Sequence, residues 1–431
     1  MFKNRLLSKL DILFSPGPNY AGIGYVGALR NHVRKIRFSI SSAPLIARVL
    51  VLGFMLVLSI VLTPVSAILR LMGFKFVDID LTQIGSILFL DFYLRENSFG
   101  GSSPRWKILV LASHCSDCNR YMLDLYNGRV TFIRSTLIKF CLSPFFVSPL
   151  FSRDTSHRYE QVHGTKTNIM SVWNRYMDEN GVPLVRMPEQ DIELAISKLS
   201  AYIDTQKPFV TLHVRDSGFY KIASQDTRNA DIFTYTETID FLLGCGFNVI
   251  RLGDRGMRDI SLLRQQVGEG LFDYALSGIK SELVDCYLLS HCAFMIGCAS
   301  GPSNIPPIFH RNCVNVNWYN ATNAPFFMPG DIATFKKFFD RKTQKLVPFS
   351  VILAPPFRYN ISRLALEKMD IEVRDNTSVE ILSTVKEFFY QTSPSTLQLR
   401  AKSMLPCHCY SVGARGNFSN TILSQYLEIG I

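Results

Sequence analysis

Charge is scarce in this sequence. Asp, Glu, Lys and Arg together make up 19% of its 431 residues, below the ~25% usual in soluble domains. Apolar residues make up 47%, which excludes a disordered, acidic or low-complexity chain, because that much apolar mass must be buried in a core or a bilayer. Acids are scarcest at the front. Residues 1–75 hold ten Lys/Arg but a single acid, Asp11, so this segment carries +9 of the net +11 and the rest only +2. A basic balance distributed in this way argues against a nucleic-acid groove and for an N-terminal segment facing an anionic membrane surface. No internal repeat and no paired CxxC array occur. The length corresponds to roughly three domain-sized units.

The charge-free stretch Val49–Leu69 spans 21 residues between Arg48 and Arg70. As an α-helix it would rise about 30 Å, enough to cross the hydrocarbon core. Gly53, Ser59, Thr63, Pro64 and Ser66 interrupt it only mildly. A buried core helix and a Pro64-kinked re-entrant or interfacial helix are the alternatives. The length of chain ahead of it does not suit a cleavable signal peptide. Upstream, Phe2, Leu6, Leu10, Leu13 and Phe14 recur at helical spacing opposite Lys3, Arg5, Ser8 and Lys9. That stripe suits either the headgroup plane or an ordinary packed face. The basic residues up to Arg48 place the N-terminus in the cytoplasm. A full crossing then carries residues 76–431 outside, whereas a monotopic insertion leaves them inside. The ten cysteines are scattered, with Cys245, Cys286, Cys292 and Cys298 in apolar runs, as small buried hydrophobes are. This favours a membrane-associated protein whose catalytic part faces the cytoplasm. The sequons at Asn320, Asn360, Asn376 and Asn417 occur at near-chance frequency.

Three literal motif matches lack their context. Gly22-Ile-Gly24-Tyr-Val-Gly27 fits GxGxxG, but Ser-Pro-Gly-Pro precedes it and no acid follows before Asp78, so the ribose ligand of a dinucleotide site is missing. That argues against an oxidoreductase. Asp78-Ile-Asp80 has the shape of a DxD metal motif but alternates as a strand, with both carboxylates on one face. His114-Cys115-x-x-Cys118 and Cys407-His408-Cys409 could form a zinc site only by joining distant segments.

Beyond Gly73 the pattern is that of two α/β halves. In the first, Phe76–Leu81, Lys107–Ala112 and Val130–Arg134 are of strand length, with helical patterns up to Arg95 and around Tyr121–Tyr126. Helices are expected near Lys166–Met177 and over Asp191–Ile203, with a domain boundary near Thr205–Pro208. In the second half, Phe209–Val214, Phe247–Leu252, Leu271–Tyr274, Ala293–Ile296 and Cys313–Val316 read as strands. A helical pattern over Thr236–Leu243 closes on Gly244-Cys-Gly246, and Ser281 is placed to cap a helix carrying Glu282 and Asp285. Such alternation implies a parallel sheet with covered faces. A further helix is expected over Val379–Tyr390, followed by a Ser-rich, partly ordered tail over residues 394–431.

Four strand ends of the second half carry polar clusters, where ligands of open α/β sheets sit. His213-Val-Arg215-Asp216 places His213 and Arg215 on one face, and an arginine fork suits phosphate oxygens. Arg251-Leu-Gly253-Asp254 and Asp273-Tyr274 follow. The fourth cluster, Ser300-Gly301-Pro302-Ser303, is expected to open a short helix whose free N–H groups bind anions. Together they suit a nucleotide diphosphate, with neighbouring acids for ribose or base.

Thr211-Leu-His213-Val-Arg215-Asp216, Asp231-Ile-x-x-Tyr235, Gly246-Phe-x-Val-Ile-Arg251-Leu-Gly253-Asp254, Phe272-Asp273-Tyr274 and Ser300-Gly301 with Asn317-Trp318 resemble a family of bacterial glycosyltransferases. That family is distantly similar to the fucosyltransferase-like branch of two-Rossmann-domain (GT-B) enzymes, in which an HxR segment holds the donor diphosphate. The resemblance covers roughly residues 76–350 and is dense only from 205 to 320. It implies an α/β, GT-B-like fold with two Rossmann-type domains facing a cleft, and metal-independent transfer from a sugar nucleotide without a further cofactor. The acceptor, a glycan or a lipid-linked one, would be held by the N-terminal half. Arg215 would contact the diphosphate with His213 beside it, Ser300 and Gly301 would bind the same group, and Thr82-Gln83-Ile84-Gly85 resembles the first loop facing the cleft. The branch carries an acid three residues beyond its arginine; here that position is Gly218.

The expected organisation is a basic segment 1–43, a membrane helix 44–72, an acceptor domain 73–205, a donor domain 206–370 and a C-terminal helix and tail 371–431. The expected activity is glycosyl transfer, with Arg215, His213 and Asp216 at the chemistry. Arg251, Gly253, Asp254, Asp273, Tyr274, Ser300, Gly301 and Ser303 would lie on the donor, and Thr82, Gln83 and Gly85 on the acceptor side. Catalysis would come from fixed charge on the departing diphosphate, and Asp216, Asp91 and Glu189 are the acids considered for the general base. The alternative is a catalytically silent scaffold in a membrane-bound polysaccharide assembly, since fold resemblance alone does not decide activity.

Overall fold

Short β-branched and aromatic runs, each ended by a polar or glycine-containing cluster, become the strands of two separate parallel sheets. The computed structural model describes residues 50, 53–54, 57, 61, 64–65, 67–69, 71–79, 81, 83–99, 107–112, 118–135, 138, 169–218, 227–319, 321–323, 328–357, 363–390, 393–406 and 413–429. The chain divides into two compact units, residues 1–167 and 168–431. The helices Ile169–Asn180 and Glu189–Leu199 therefore belong to the second unit, whereas the sequence pattern put the division near Thr205–Pro208.

In the first unit, β1 (Phe74–Ile79), β2 (Lys107–Ala112) and β3 (Val130–Ile133) form a parallel sheet in the order β1-β2-β3. Parallel neighbours need long crossovers, which contain the helices Ile87–Ser98 and Arg120–Asp124. Asn119 caps the second of these, its Oδ1 accepting from the Met122 amide at 2.9 Å. Asp91 and Arg95 form an ion pair one helical turn apart and wholly buried, and the Tyr126 hydroxyl donates to Asp91 Oδ1 at 3.0 Å. Burial raises the Asp91 pKa, opposed by the charge and hydrogen bond of Arg95. This acid is a packing element of its helix, and its side chain is closed off from solvent.

Among the described residues no helix is long and apolar enough to cross a membrane. Much of the expected crossing over Val49–Leu69 falls outside the described residues, as do the stripe over residues 2–14, the glycines at 22–27, Asp80, His114, Cys115 and residues 407–409. Leu50, Phe54, Val57, Val61, Val65 and Ile68 are helical and exposed.

The second unit is built on seven strands, β4 (Phe209–Leu212), β5 (Asn248–Arg251), β6 (Leu271–Asp273), β7 (Phe294–Gly297), β8 (Asn312–Trp318), β9 (Ile332–Phe335) and β13 (Asn417–Phe418). Their order is β13-β9-β8-β7-β4-β5-β6, and every pairing is parallel. Helices cover such a sheet on both faces, so its strands are buried along their length; all four residues of β4, β5, β7 and β9 are buried, Asn248 and Arg251 of β5 included. Val210, Leu212, Val249, Ile296 and Val314 pack with Ile239 and Leu242 of the helix Thr236–Gly244 and with Ile381, Val385 and Phe388 of the helix Ser378–Tyr390. Burying each such side chain contributes roughly 1.5–3 kcal/mol. Beyond β9 the chain forms a small antiparallel sheet of β10 (Lys337–Asp340), β11 (Lys345–Leu346) and β12 (Ile371–Arg374), ordered β11-β10-β12.

From β4 the chain lays β5 and β6 to one side, then returns to lay β7, β8 and β9 to the other. The direction reverses between β4 and β7, the switch point at which open α/β sheets form a crevice at the carboxyl ends of their strands.

Residues 413–429, expected to be partly ordered, are integral to this unit. Phe418 is fully buried in β13, edge-on to Phe335 and Phe349. Glu387 accepts hydrogen bonds from Ser419 Oγ and the Asn420 amide. Cys245 is exposed, unlike Cys286, Cys292 and Cys298, because it follows the last turn of its helix and faces outward.

Candidate functional site

The β4–β7 switch point gathers six of the residues the sequence singled out, His213, Arg215, Asp216, Ser300, Gly301 and Ser303. His213 and Arg215 lie just past the last ladder residue of β4, Leu212. The His213 amide donates to Ile296 O of β7 at 2.9 Å, and the Arg215 amide to Cys298 Sγ at 3.2 Å. Two residues on, Ser300 begins the turn that follows β7, so the Arg215 backbone and this turn stand together at the switch point. Ser300 Oγ lies 3.4 Å from Ser303 Oγ, and Ser303 Oγ donates to Cys298 O at 2.7 Å. Gly297 makes room for this arrangement: a Cβ there would come within 2.4 Å of Ser303 Oγ. In place of the expected short helix, Gly301–Asn304 and Pro306–Phe309 are two 3-10 turns. Pro302, Pro306 and Pro307 lack the amide donors a continuous helix would need. The turn offers local N–H groups without the summed dipole of a longer helix.

Arg215 is almost completely enclosed and donates from Nε to Asn229 Oδ1 at 3.2 Å. Its carbonyl accepts from the Ala230 amide at 2.9 Å, which ties the 227–230 segment to β4. His213 Nδ1 lies 3.2 Å from Leu252 O. A carbonyl only accepts, so Nδ1 carries the proton and Nε2 keeps its lone pair. Burial, with the nearby positive charges of Arg251 and Arg215, lowers the His213 pKa to about 4 against the Leu252 hydrogen bond. His213 is therefore neutral at neutral pH, and the fixed positive charge beside it is that of Arg215.

Asp216 shapes the loop beyond β4. Its Oδ1 accepts from the Gly218 amide and its Oδ2 from the Arg258 amide, each at 2.8 Å. Gly218 packs so tightly on Gly256 that a Cβ would sit 2.0 Å from Gly256 O. Arg251 lies fully buried behind, Nη1 3.1 Å from Asp273 Oδ2 and Nη2 3.7 Å from Asp216 Oδ2. Burial raises the Asp273 pKa, opposed by the Arg251 charge. The guanidinium is thus directed at two carboxylates of the protein itself.

Other expected donor contacts stand apart. Tyr274 is buried, its hydroxyl donating to Ser281 O at 3.1 Å and accepting from the Ser281 amide at 3.0 Å. Asp254 is exposed, with Oδ1 accepting from the Gly256 amide at 3.0 Å, and Gly253 packs on Met257. In the first unit, Gln83 is exposed and Gly85 buried in the 3-10 turn Ile84–Ser86 that follows β1, while Thr82 lies outside the described residues. Glu189 is an exposed first-turn residue of its helix.

A cavity of about 710 Å³ opens beside the end of β4, lined by Asp216, Asn229, Asp231, Arg258, Lys336, Arg363 and Asp375 among others. Two of its basic residues, Lys336 and Arg363, carry no mark in the sequence. Lys336 directly follows β9, its Nζ donating to Asn229 O and pairing with Asp375 Oδ1 at 2.7 Å, and Arg363 is exposed at the rim. Nothing in the local sequence marks Lys336, because its partners lie far away along the chain.

No protein-family model matches the chain, and no curated protein matches it. Among solved structures it is similar to ADP-heptose lipopolysaccharide heptosyltransferase II of E. coli, with 11% identity and a TM-score of 0.42 over 74% of this chain and 99% of that one. A glycosyl transferase family 9 protein from Veillonella parvula gives 11% identity and a TM-score of 0.36 over 59% and 82% of the two chains. E. coli heptosyltransferase WaaC with ADP-2-deoxy-2-fluoro heptose gives 11% and 0.34 over 58% and 90%. Scores of this size do not establish a common fold.

Proposed function

We propose that the second unit binds the diphosphate of a nucleotide sugar in the β4–β7 crevice, and that the protein transfers this sugar to a glycan or lipid-linked acceptor. The observation that carries the reading is the Arg215 amide bonding Cys298 Sγ, two residues ahead of the Ser300 turn, at the switch point of an all-parallel sheet. Ligands of such sheets bind at that point, and an arginine fork with backbone amides matches diphosphate oxygens. Transfer separates the anomeric carbon from a diphosphate that gains negative charge as it leaves. Arg215, fixed by Asn229, would stabilise that charge without reorganising and without requiring a metal. His213, neutral and on the same side of the strand end, adds no competing charge, and Asp216 holds the loop that closes the crevice. The first unit, with Gln83 and Gly85 following β1, would take the acceptor. The exposed apolar residues Leu50, Phe54, Val57, Val61, Val65 and Ile68, beside a strongly basic segment, support attachment to an anionic bilayer on its cytoplasmic side.

The test is Arg215→Ala in the full chain, with ADP-, GDP- and UDP-sugars as donors. Donor hydrolysis and transfer should fall roughly 100-fold or more, while circular dichroism stays that of the wild type. Unchanged turnover would remove the phosphate clamp. A wild-type protein that binds none of the three nucleoside diphosphates in calorimetry would leave only the scaffold.

A further inference from the structure

We propose that Lys336 is a second fixed cation of the diphosphate site, facing the donor from the β9 side as Arg215 does from the β4 side. This rests on the crevice being a diphosphate site, and it adds a residue from the opposite wing of the sheet. The decisive juxtaposition is Asn229. Its side-chain Oδ1 takes the Arg215 Nε–H at 3.2 Å, while its main-chain oxygen takes the Lys336 ammonium. Two cations from β4 and β9 are thus held by one neutral residue, both nearly removed from water. Asp375 lies 2.7 Å from the Lys336 ammonium, so an incoming diphosphate would share that cation with a carboxylate of the protein.

The acids that line the neighbouring cavity are likewise engaged by partners within the protein. Asp375 is committed to Lys336, Asp231 lies 3.5 Å from Arg258, and Asp216 is engaged by two backbone amides and by Arg251. Arg363, by contrast, makes no ion pair with a described residue. Asp216, Asp231 and Asp375 balance Arg258, Lys336 and Arg363 in the lining, and with each acid engaged within the protein the Arg363 charge is, among the described residues, the one left to an incoming anion. An ammonium has three donors. Asn229 O and Asp375 take two of the Lys336 hydrogens and fix the third, which is how a lysine serves as a preorganised point charge instead of a flexible tether. Two cations set one on either side of Asn229 suit a ligand with two linked phosphates better than one with a single phosphate.

Calorimetry on the full chain tests this with ADP, GDP and UDP against the corresponding monophosphates. Lys336→Met should weaken binding of the best diphosphate at least 10-fold and shrink its advantage over the monophosphate. Lys336→Arg should restore part of both. Asp375→Asn, which keeps the ammonium and removes its competing carboxylate, should tighten diphosphate binding severalfold, and this arm stands even if the methionine variant fails to fold. If the wild type binds a diphosphate and Arg215→Ala abolishes it, but Lys336→Met keeps both affinity and diphosphate preference, Lys336 is no part of the site while the transferase reading survives. If Asp375→Asn leaves affinity unchanged or weaker, the assignment of Lys336 is likewise overturned. Absence of wild-type binding to all three diphosphates overturns both readings.

Discussion

Arg251→Met separates a buried clamp from a ligand contact, because the two roles predict opposite signatures. The Arg251 side chain is fully buried between Asp273 and Asp216, and Asp273 is itself nearly enclosed. Removing one partner of such a pair leaves a carboxylate without its counter-charge, which costs about 3–5 kcal/mol. The loss should depend on pH in a definite direction. Burial already raises the Asp273 pKa, and Arg251 opposes this, so deleting the arginine raises it further. A carboxyl whose pKa is raised in the folded state destabilises most where it would be ionised. The penalty is therefore largest above neutrality and shrinks as the pH falls and Asp273 takes up its proton. Urea unfolding in a Trp106→Phe background, followed by the fluorescence of the buried Trp173 and Trp318, reads the second unit. Asp273→Asn added to Arg251→Met should recover most of the loss at pH 8, since it removes the stranded charge. A loss below about 1 kcal/mol at pH 8 would contradict the buried-pair account, as would failure of the double variant to recover. A variant as stable as the wild type but unable to bind nucleoside diphosphates would make Arg251 a ligand contact after all.

His213 stays neutral in the folded chain down to about pH 4, whereas an unfolded histidine titrates near 6.5. Below that value the unfolded state binds the extra proton, so stability falls as the pH drops from 6.5 to 4 and then levels off. The shift corresponds to about 3 kcal/mol, and a His213→Gln variant should lack this part of the pH–stability curve in denaturant titrations; parallel curves would refute it. Gly218→Ala should disrupt the loop that carries Asp216, because the new Cβ would meet the Gly256 carbonyl at 2.0 Å. Gly253→Ala meets only the flexible Met257 thioether, at 1.8 Å, and should keep its melting temperature much closer to that of the wild type; equal losses in the two variants would contradict the rigid Gly218–Gly256 contact.

The parts of the fold legible in the sequence are those with strong local signals. The β-branched runs at Phe209, Phe247, Leu271 and Phe294 become β4 to β7 within a residue or two. Ser281 caps the helix Glu282–His291, accepting from the Val284 amide. The segments that escaped notice have partners rather than patterns. β13 is only two residues long and exists because Asn417 and Phe418 pair with β9, which no local periodicity announces. β10 is hidden for a similar reason, since its antiparallel neighbours β11 and β12 come from either side of intervening helices. The sequon residue Asn376 belongs to this class as well. It is buried, its Oδ1 accepting from the Asn317 amide and Thr334 Oγ1 and its Nδ2 donating to Phe335 O, so its amide is consumed in joining β8 to β9.

The same distinction explains why residues of similar sequence appearance have different surroundings. Arg251 is the last ladder residue of β5, paired across to Leu212 on one side and Asp273 on the other. A residue still inside the ladder keeps the alternation of the strand, so its side chain is driven into the layer between sheet and helices. There a guanidinium persists only if acids accompany it, and Asp273 and Asp216 do. Arg215 lies three residues past the last ladder residue of β4, Ser300 three past Gly297 of β7, and Lys336 one past Phe335 of β9. The Arg215 amide has left the ladder for Cys298 Sγ, whereas the Lys336 amide still bonds Trp318 O at 2.8 Å and keeps strand geometry at the end of β9. Position relative to the last ladder hydrogen bond thus separates Arg251, which lies inside the sheet against its own acids, from Arg215, which lies beyond it.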